Sequence, residues 1–109
     1  MLAFYDGRII GTLTLIFNPK LKHKHVAYIY GVYVKKGYRG MGVGTRLIEH
    51  AIKISKNHGI LKIKIDVNSK QRAALRLYRK HGFKLAGKLK KEMKVNGRFN
   101  DIIIMERFV

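Results

Sequence analysis

The sequence predicts an α+β fold: a mixed, mostly antiparallel sheet of about six strands with one parallel pair, and two helices. Before residue 35 and after residue 60, short runs of apolar, aromatic and β-branched residues alternate with polar ones, as they do in strands. Two other stretches, around Leu47 and around Leu77, repeat apolar residues at helical spacing. Asp6-Gly7 and Asn96-Gly97 are typical of the type I′ turns that join antiparallel strands.

The first third of the chain is predicted to form a hairpin and then a central strand. Leu2 to Tyr5 is a short strand, and Arg8 to Phe17 is its returning partner. In the basic loop that follows, His23 and His25 have no carboxylate or cysteine beside them, so a surface loop is favoured over a metal site. The alternation then resumes in the central strand, at Tyr28, Tyr30, Val32 and Val34.

The rest of the chain supplies the helices and the remaining strands. The first helix is expected to end at Gly59, and Leu61 to Val67 alternates as a strand. A strand–helix–strand unit of this length implies a parallel pair with a right-handed crossover. Gln71 to His81 is predicted as the second helix, and Phe83 to Val95 and Phe99 to Phe108 as a final hairpin.

Composition narrows the class of protein. The chain has 109 residues and a net charge of +18, so its partners should be anionic: a cofactor with phosphates, nucleic acid or an acidic protein surface. The alternative is that the lysines only solvate the surface, as in heat-adapted proteins. There is no cysteine, which excludes disulfide and thiolate chemistry. No apolar run approaches the ~20 residues that span a bilayer, and no signal-peptide pattern is present, so the sequence predicts a cytoplasmic protein without a membrane partner.

The stretch from Val32 to Glu49 reads as the end of a strand, a glycine-rich turn and the start of a helix. A helix N-terminus after such a turn offers unpaired N–H groups and the positive end of the helix dipole, which suits a phosphate or pyrophosphate. Arg39 and Arg46 add positive charge. The spacing fits neither the Walker pattern nor the dinucleotide fingerprint. Its glycines remove the Cβ atoms that would keep a ligand from the backbone; they are Gly37, Gly40, Gly42 and Gly44.

Three stretches together resemble the GNAT family of N-acetyltransferases. Arg39 to Gly44 resembles the Arg/Gln-x-x-Gly-x-Gly/Ala turn that the family uses for the pyrophosphate of acetyl-CoA. Ala74 to Phe83 resembles the family's Ala-x-x-Leu-Tyr-x-x-x-Gly-Phe helix, and Gly97 to Met105 resembles its closing Asp-x-x-x-Met strand. The resemblance begins at Leu2 and is closest to the branch that acetylates ribosomal-protein N-termini.

The resemblance implies acetyl-CoA as co-substrate, an amine as acceptor and direct attack in a ternary complex. It implies Tyr78 as the general acid for the departing thiolate, although Tyr78 also fits an apolar helix stripe. It implies Asp66 as the general base, although Asp66 also fits a solvated strand face or a cap. The residues that it implies for cofactor binding are Val32, Tyr33, Val34, Arg39, Gly40, Met41, Gly42, Val43, Gly44, Thr45 and Gln71.

The chain departs from the family pattern at three points. Gln71 stands where the family usually has Asn, and Asp66 stands where the ribosomal branch has Glu. The family's opening strand and two helices have no counterpart before Leu2. We therefore expect one acetyl-CoA-binding domain over residues 1–109 that is truncated at its N-terminus relative to the family.

Two hypotheses stand beside an N-acetyltransferase acting on a protein N-terminus, a lysine or a small amine. A reduced GNAT-fold binding module could use its charge to hold nucleic acid or an acidic partner with little or no turnover. Alternatively, the domain could be completed by another chain or by a second copy. The apolar residues Ile9, Ile10, Leu13 and Leu15 of the first hairpin favour a homodimer through that hairpin, because exposed apolar patches usually mark interfaces.

Overall fold

The computed structural model describes all 109 residues and confirms the predicted fold class. The strands form one sheet in the order β1-β2-β3-β4-β6-β5, in which only β3 and β4 are parallel. The elements are β1 (Leu2–Tyr5), β2 (Arg8–Phe17), β3 (Val26–Val34), α1 (Val43–Asn57), β4 (Lys62–Asn68), α2 (Arg72–Lys80), β5 (Lys84–Val95) and β6 (Arg98–Phe108), with a short 3₁₀ turn at Leu21–His23. No helix is both long and apolar enough to cross a bilayer.

Both predicted hairpin turns are present. The central residues of the first turn, Asp6 and Gly7, have φ angles of 50° and 75°, and those of the second, Asn96 and Gly97, have 51° and 77°. Positive φ at both central positions is the requirement of a type I′ turn. The antiparallel pairs β1–β2 and β5–β6 are therefore joined as the sequence predicts.

One core cluster joins both helices to the same face of the sheet. On β4, the buried residues Ile63, Ile65 and Val67 pack with α1 and α2, and truncating such a side chain to alanine typically costs about 2–5 kcal/mol. Lys64 and Asp66 alternate with them and lie on the other face, which no helix of this chain covers. The helices contribute Leu47, Ile48, Ala51, Ile52 and Tyr78 to the cluster.

The parallel strands pair over only part of their length. Their register runs from Val26 opposite Lys62 to Ile29 opposite Ile65, and there it ends. β3 continues to Val34, still paired with β2 on its other side, while β4 continues beside β6. Beyond Ile29 and Ile65 the two strands therefore separate and leave an opening in the sheet.

A bulge in β3 provides the physical reason for this separation. Thr12 lies opposite Tyr33 and Thr14 opposite Tyr30, so β3 has one residue more than β2 in this interval. Gly31 has a φ of 64°, and its carbonyl accepts a hydrogen bond of 3.2 Å from the Thr12 hydroxyl. Because a bulge bends the strand that carries the extra residue, it directs the end of β3 away from β4.

A second irregularity shapes the β5–β6 hairpin. Leu89 lies opposite Ile102 and Met93 opposite Asn100, so β5 has two extra residues there. The Asp101 carboxylate accepts a 2.9 Å hydrogen bond from the N–H of Lys91, which has a φ of 53°. That bond, followed by the nearby Lys88, lowers the pKa of Asp101. The Asp101 carboxylate thus stabilises the irregular stretch of β5, a strand rich in lysine.

Candidate active site

A groove of about 920 Å³ opens where the end of β3, the glycine-rich turn and α2 meet. The resemblance implied eleven cofactor-binding residues, and all of them except Met41 line this groove. Those that line it are Val32, Tyr33, Val34, Arg39, Gly40, Gly42, Val43, Gly44, Thr45 and Gln71. Tyr78 lines it as well, so the structure brings the predicted general acid beside them.

The N-terminus of α1 gives the groove its anion-binding character. Gly42 caps the helix with a φ of 81°, and the first intrahelical hydrogen bond runs from the N–H of Arg46 to the carbonyl of Gly42, at 3.1 Å. The N–H groups of Val43, Gly44 and Thr45 consequently have no partner within the helix. A Cβ on Gly42 would meet no protein atom within 4 Å, so a ligand can reach this backbone from the groove.

Gly44 has a packing role in addition to lining the groove. A Cβ at this position would lie 3.1 Å from Cδ2 of Leu77 on α2. The absence of a side chain therefore lets the first turn of α1 approach α2 closely. Both Gly44 and Leu77 line the groove, so the two helices meet there.

The groove is lined by cations and by no acidic residue. Its charged residues are Arg39, Lys70, Arg72 and Lys80. Nε of Arg39 donates a 3.0 Å hydrogen bond to the carbonyl of Val34, and its guanidinium lies 5.9 Å from the centre of the Tyr33 ring. The two ion pairs of the structure, Lys62–Glu106 and Lys88–Asp101, leave all four groove cations unneutralised. The resulting positive potential attracts anions such as phosphate groups.

Tyr78 is a buried residue with 4% of its surface exposed, and its ring packs edge-on against Phe83 at 6.1 Å. Burial disfavours the charged phenolate and raises the pKa of Tyr78 to about 12. The hydroxyl therefore carries its proton at neutral pH. Tyr78 is both a core residue and a groove residue, so its packing and a chemical role are compatible.

Asp66 lies outside the groove. It is exposed on the other face of β4, between the buried Ile65 and Val67 and opposite Ile104 of β6. It forms no ion pair, although the chain has 24 lysine and arginine residues. Because Asp66 directly follows the last β3–β4 pair, Ile29 and Ile65, it lies at the edge of the opening in the sheet.

Met41 lines a different cavity. This second groove, of about 560 Å³, is mostly apolar and lies between β1 and α1. Several residues that line the first groove were not predicted from the sequence, among them Tyr38, Lys70, Arg72 and Lys80. Lys80 follows Leu77 by three and Ala73 by seven, which is the spacing of one helix face and the one signal that could have placed it there.

The known proteins to which this chain is similar are acetyltransferases. The model of the acetyltransferase (GNAT) family matches residues 1–83. The L-amino acid N-acetyltransferase of Escherichia coli K12 is 29% identical over 98% of this chain and 66% of its own length. A GNAT-family acetyltransferase from Streptococcus pneumoniae superimposes with a TM-score of 0.93 at 28% identity, covering 99% of this chain and 65% of that one. A ribosomal-protein-alanine N-acetyltransferase from Brucella melitensis gives 0.88 at 25% identity, covering 99% and 67%. The chain spans between about half and two thirds of the length of the first curated relatives.

Proposed function

Because the chain belongs to the GNAT family of acetyltransferases, we propose that it transfers the acetyl group of acetyl-CoA to an amine by direct attack within a ternary complex. One observation carries the proposal. A single groove joins an anion-binding helix N-terminus to the opening between β3 and β4, with a buried, protonated tyrosine on its wall. Acetyl transfer from a thioester that carries phosphates requires a phosphate site and a proton donor, and this groove contains both.

The turn and the end of β3 are proposed to hold the cofactor. The pyrophosphate would accept hydrogen bonds from the N–H groups at the start of α1, at Val43, Gly44 and Thr45. The side of β3 that faces the opening has no strand partner beyond Ile29, so its backbone groups are available to the pantetheine arm. The Gln71 side chain, at the start of α2, adds an amide to the same groove.

Tyr78 is proposed to protonate, or to hydrogen-bond, the departing sulfur. With a pKa of about 12, against a thiol value of about 8.5, Tyr78 is a weak acid toward a thiolate in water. The burial that raises the pKa of Tyr78 also raises that of a thiolate leaving beside it, which brings the two values closer together. The hydroxyl therefore acts where negative charge develops, as general acids do.

The opening supplies access from two sides. The amine nitrogen attacks the thioester carbon, a C–N bond forms, and the C–S bond of the tetrahedral intermediate then breaks. Tyr78 lies on the helix side of the sheet and Asp66 on the open side. Asp66 is proposed to take the amine proton, directly or through water, while Tyr78 serves the sulfur. Acid and base are then separated by the reacting centre.

The acceptor is proposed to be a primary amine, either a protein N-terminus, a lysine or a small amine. The proteins similar to this chain include an L-amino acid N-acetyltransferase and a ribosomal-protein-alanine N-acetyltransferase. The test is release of free CoA thiol from acetyl-CoA in the presence of an acceptor panel: free amino acids, peptides with free N-termini, peptides with internal lysine, and polyamines. Acceptor-dependent release supports the proposal, and binding of acetyl-CoA without release for any amine class opposes it.

A second candidate function, the binding of nucleic acid or an acidic partner, has one observation in its favour. Phe99 is 58% exposed on the β5–β6 hairpin, and the ammonium groups of Lys91 and Lys94 lie 5.9 and 5.6 Å from its ring. Exposed aromatic rings among cations suit single-stranded nucleic acid. An affinity for nucleic acid that falls steeply with salt and is weakened by Phe99→Ala would support this function. A flat salt dependence would indicate that the lysines and arginines only solvate the surface.

The homodimer and the cytoplasmic location stay predictions. The homodimer prediction rests on exposure of Ile9, Ile10, Leu13 and Leu15. Of these, Ile9 is 50% exposed, whereas Ile10 and Leu13 are buried within the chain itself. Sedimentation in salt high enough to screen the net charge tests the dimer. A clean monomer at tens of micromolar rejects it.

A further inference from the structure

The second groove, between β1 and α1, plays no part in the proposed function. It measures about 560 Å³, within the range of ~300–1,000 Å³ that is usual for small-molecule sites. Ten of its twelve lining residues are apolar or aromatic, and the other two, Arg46 and His50, are basic. We propose that this groove binds a small amphipathic carboxylate, whose apolar chain lies along the groove and whose carboxylate pairs with Arg46. The proposal goes beyond acetyl transfer and does not depend on it.

One face of α1 forms one side of the groove. Four residues of the helix line it at positions i, i+3, i+4 and i+7, which is the spacing of a single helix face; they are Val43, Arg46, Leu47 and His50. Leu47 is buried, whereas Arg46 and His50 are exposed. The helix therefore presents an apolar surface with two basic side chains beside it.

β1 and the glycine-rich turn supply the rest of the apolar lining. Phe4 on β1 is 61% exposed and Met41 in the turn is 65% exposed, although both line the same groove. The rings of Tyr5 and Tyr38, which also line it, lie 5.9 Å apart at a tilt of 53°. Large apolar side chains that stay exposed together usually mark a binding site. An apolar chain in the groove would remove their surface from water.

Arg46 gives the groove a preference for anionic ligands. The sequence predicts this arginine beside the phosphate-binding turn, but the structure places it in the second groove and not in the first. It takes part in neither ion pair of the structure, although Glu49 follows it by three residues in the same helix. No acidic residue lines the groove. One guanidinium in a mostly apolar groove matches a singly charged head group, and a carboxylate can accept two parallel hydrogen bonds from it.

A second copy of the chain is a less suitable occupant. Each copy carries a net charge of +18, and no acid in the groove offsets the charge of Arg46. Docking two copies here therefore brings like charges together, whereas an anionic ligand neutralises charge.

Calorimetric titration with decanoate, at concentrations at which it forms no micelles, tests the site. We expect the parent to bind one decanoate per chain, about 10-fold more tightly than decanol, as a charge-assisted hydrogen bond predicts. Decylammonium has the same chain and the opposite charge, so it should bind more weakly than decanol. Octanoate and hexanoate should bind progressively more weakly than decanoate, by about two- to fourfold for each methylene removed.

Two variants separate the head group from the chain. Arg46→Ala should bind decanoate and decanol alike, because the carboxylate has lost its partner. Phe4→Ala should weaken both ligands by the same factor, because it removes apolar contact and leaves the charge. Both side chains are exposed, so both variants should keep the parent's thermal unfolding midpoint.

Arg39→Ala is the matched control. It also removes an exposed arginine near the turn, but Arg39 lines the first groove and not the second. The preference for decanoate over decanol should persist in this variant. That result would separate a direct contact from a general loss of charge and from binding in the first groove.

Four ligand-binding results overturn the proposal. They are no saturable binding by the parent, equal affinity for decanoate and decylammonium, a decanoate preference that survives in Arg46→Ala, and a preference that is lost in Arg39→Ala but kept in Arg46→Ala. Sedimentation that shows a dimer from which decanoate is excluded also overturns it, and identifies a second copy as the occupant. The proposed acetyl transfer stands in each case, because its groove and its test are different.

Discussion

Ile29 and Ile65 are the last residues to pair across the two parallel strands. Beyond them, β3 stays with β2 and β4 stays with β6, so the sheet opens without losing either strand. Tyr78 lies in the groove on the helix side, and Asp66 lies at the edge of the opening on the other side. The end of the β3–β4 pairing therefore determines where a bound thioester could be reached from both faces of the sheet.

The Gly31 bulge is predicted to maintain the opening. Gly31→Val forces a β-branched residue to a φ of 64°, which should lower the free energy of unfolding by about 1–2 kcal/mol. If β3 straightens to relieve the strain, affinity for acetyl-CoA should fall as well. Urea unfolding and calorimetry measure the two effects. Gly97→Val is the control, because Gly97 has a similar φ of 77° in the distant β5–β6 turn. Parental acetyl-CoA affinity in Gly31→Val would contradict a role for the bulge.

Tyr78→Phe should separate chemistry from binding. Removing the hydroxyl keeps the ring that packs on Phe83, so acetyl-CoA affinity should stay near that of the parent. Turnover with an accepted amine should fall by about 10²–10⁴-fold, the usual contribution of a general acid. Steady-state rates and calorimetry on the same preparations give the two values. Unchanged turnover would leave Tyr78 with its packing role alone.

The pKa of Tyr78 makes a separate prediction about alkaline pH. Because burial raises this pKa from 10.0 to about 12, the folded chain keeps a proton that the unfolded chain loses. The contribution of Tyr78 to stability is therefore complete below about pH 10 and is lost as the pH rises toward 12. Ultraviolet titration should show one of the six tyrosines ionising near pH 12, and this step should be missing in Tyr78→Phe. A spectrum in which that variant retains the step would show that the late tyrosine is a different one.

Local signals account for the parts of the fold that the sequence predicts well. Asp6-Gly7 and Asn96-Gly97 specify their turns within two residues, because both positions need positive φ. Likewise, the alternation of Ile63 and Ile65 with lysines shows which residues of β4 face the core. These features depend on neighbours in the chain, which the sequence displays directly.

Other features depend on partners far along the chain. The extra residues of β5 require the carboxylate of Asp101, ten positions from Lys91, and strand alternation gives no sign of them. The separation of the parallel strands after Ile29 depends on the register between three strands. Met41 illustrates a further limit, because a sequence does not show on which side of a turn a side chain lies.

Asp66→Asn tests the proposed base. With the carboxylate removed, the rise of kcat/KM with increasing pH should disappear, while acetyl-CoA affinity stays unchanged because Asp66 lies outside the groove. Asp66→Glu keeps a carboxylate at the same position and should retain the rising limb. A pH–rate profile for Asp66→Asn that overlays the parental one would exclude Asp66 as the base.

Acetyl-CoA is proposed to bind at the glycine-rich turn, and calorimetry on Gly42→Val tests this binding. A Cβ on Gly42 would have no protein atom within 4 Å, so the side chain of valine would project into the open space that the pyrophosphate needs. Gly59→Val is the matched control at the other end of α1, because Gly59 also has positive φ, 73° against 81°, and an open Cβ position. We expect the parent and Gly59→Val to bind acetyl-CoA alike and Gly42→Val, while still folded, not to bind it measurably. Parental affinity in Gly42→Val, or no binding by the parent, would contradict binding at this turn.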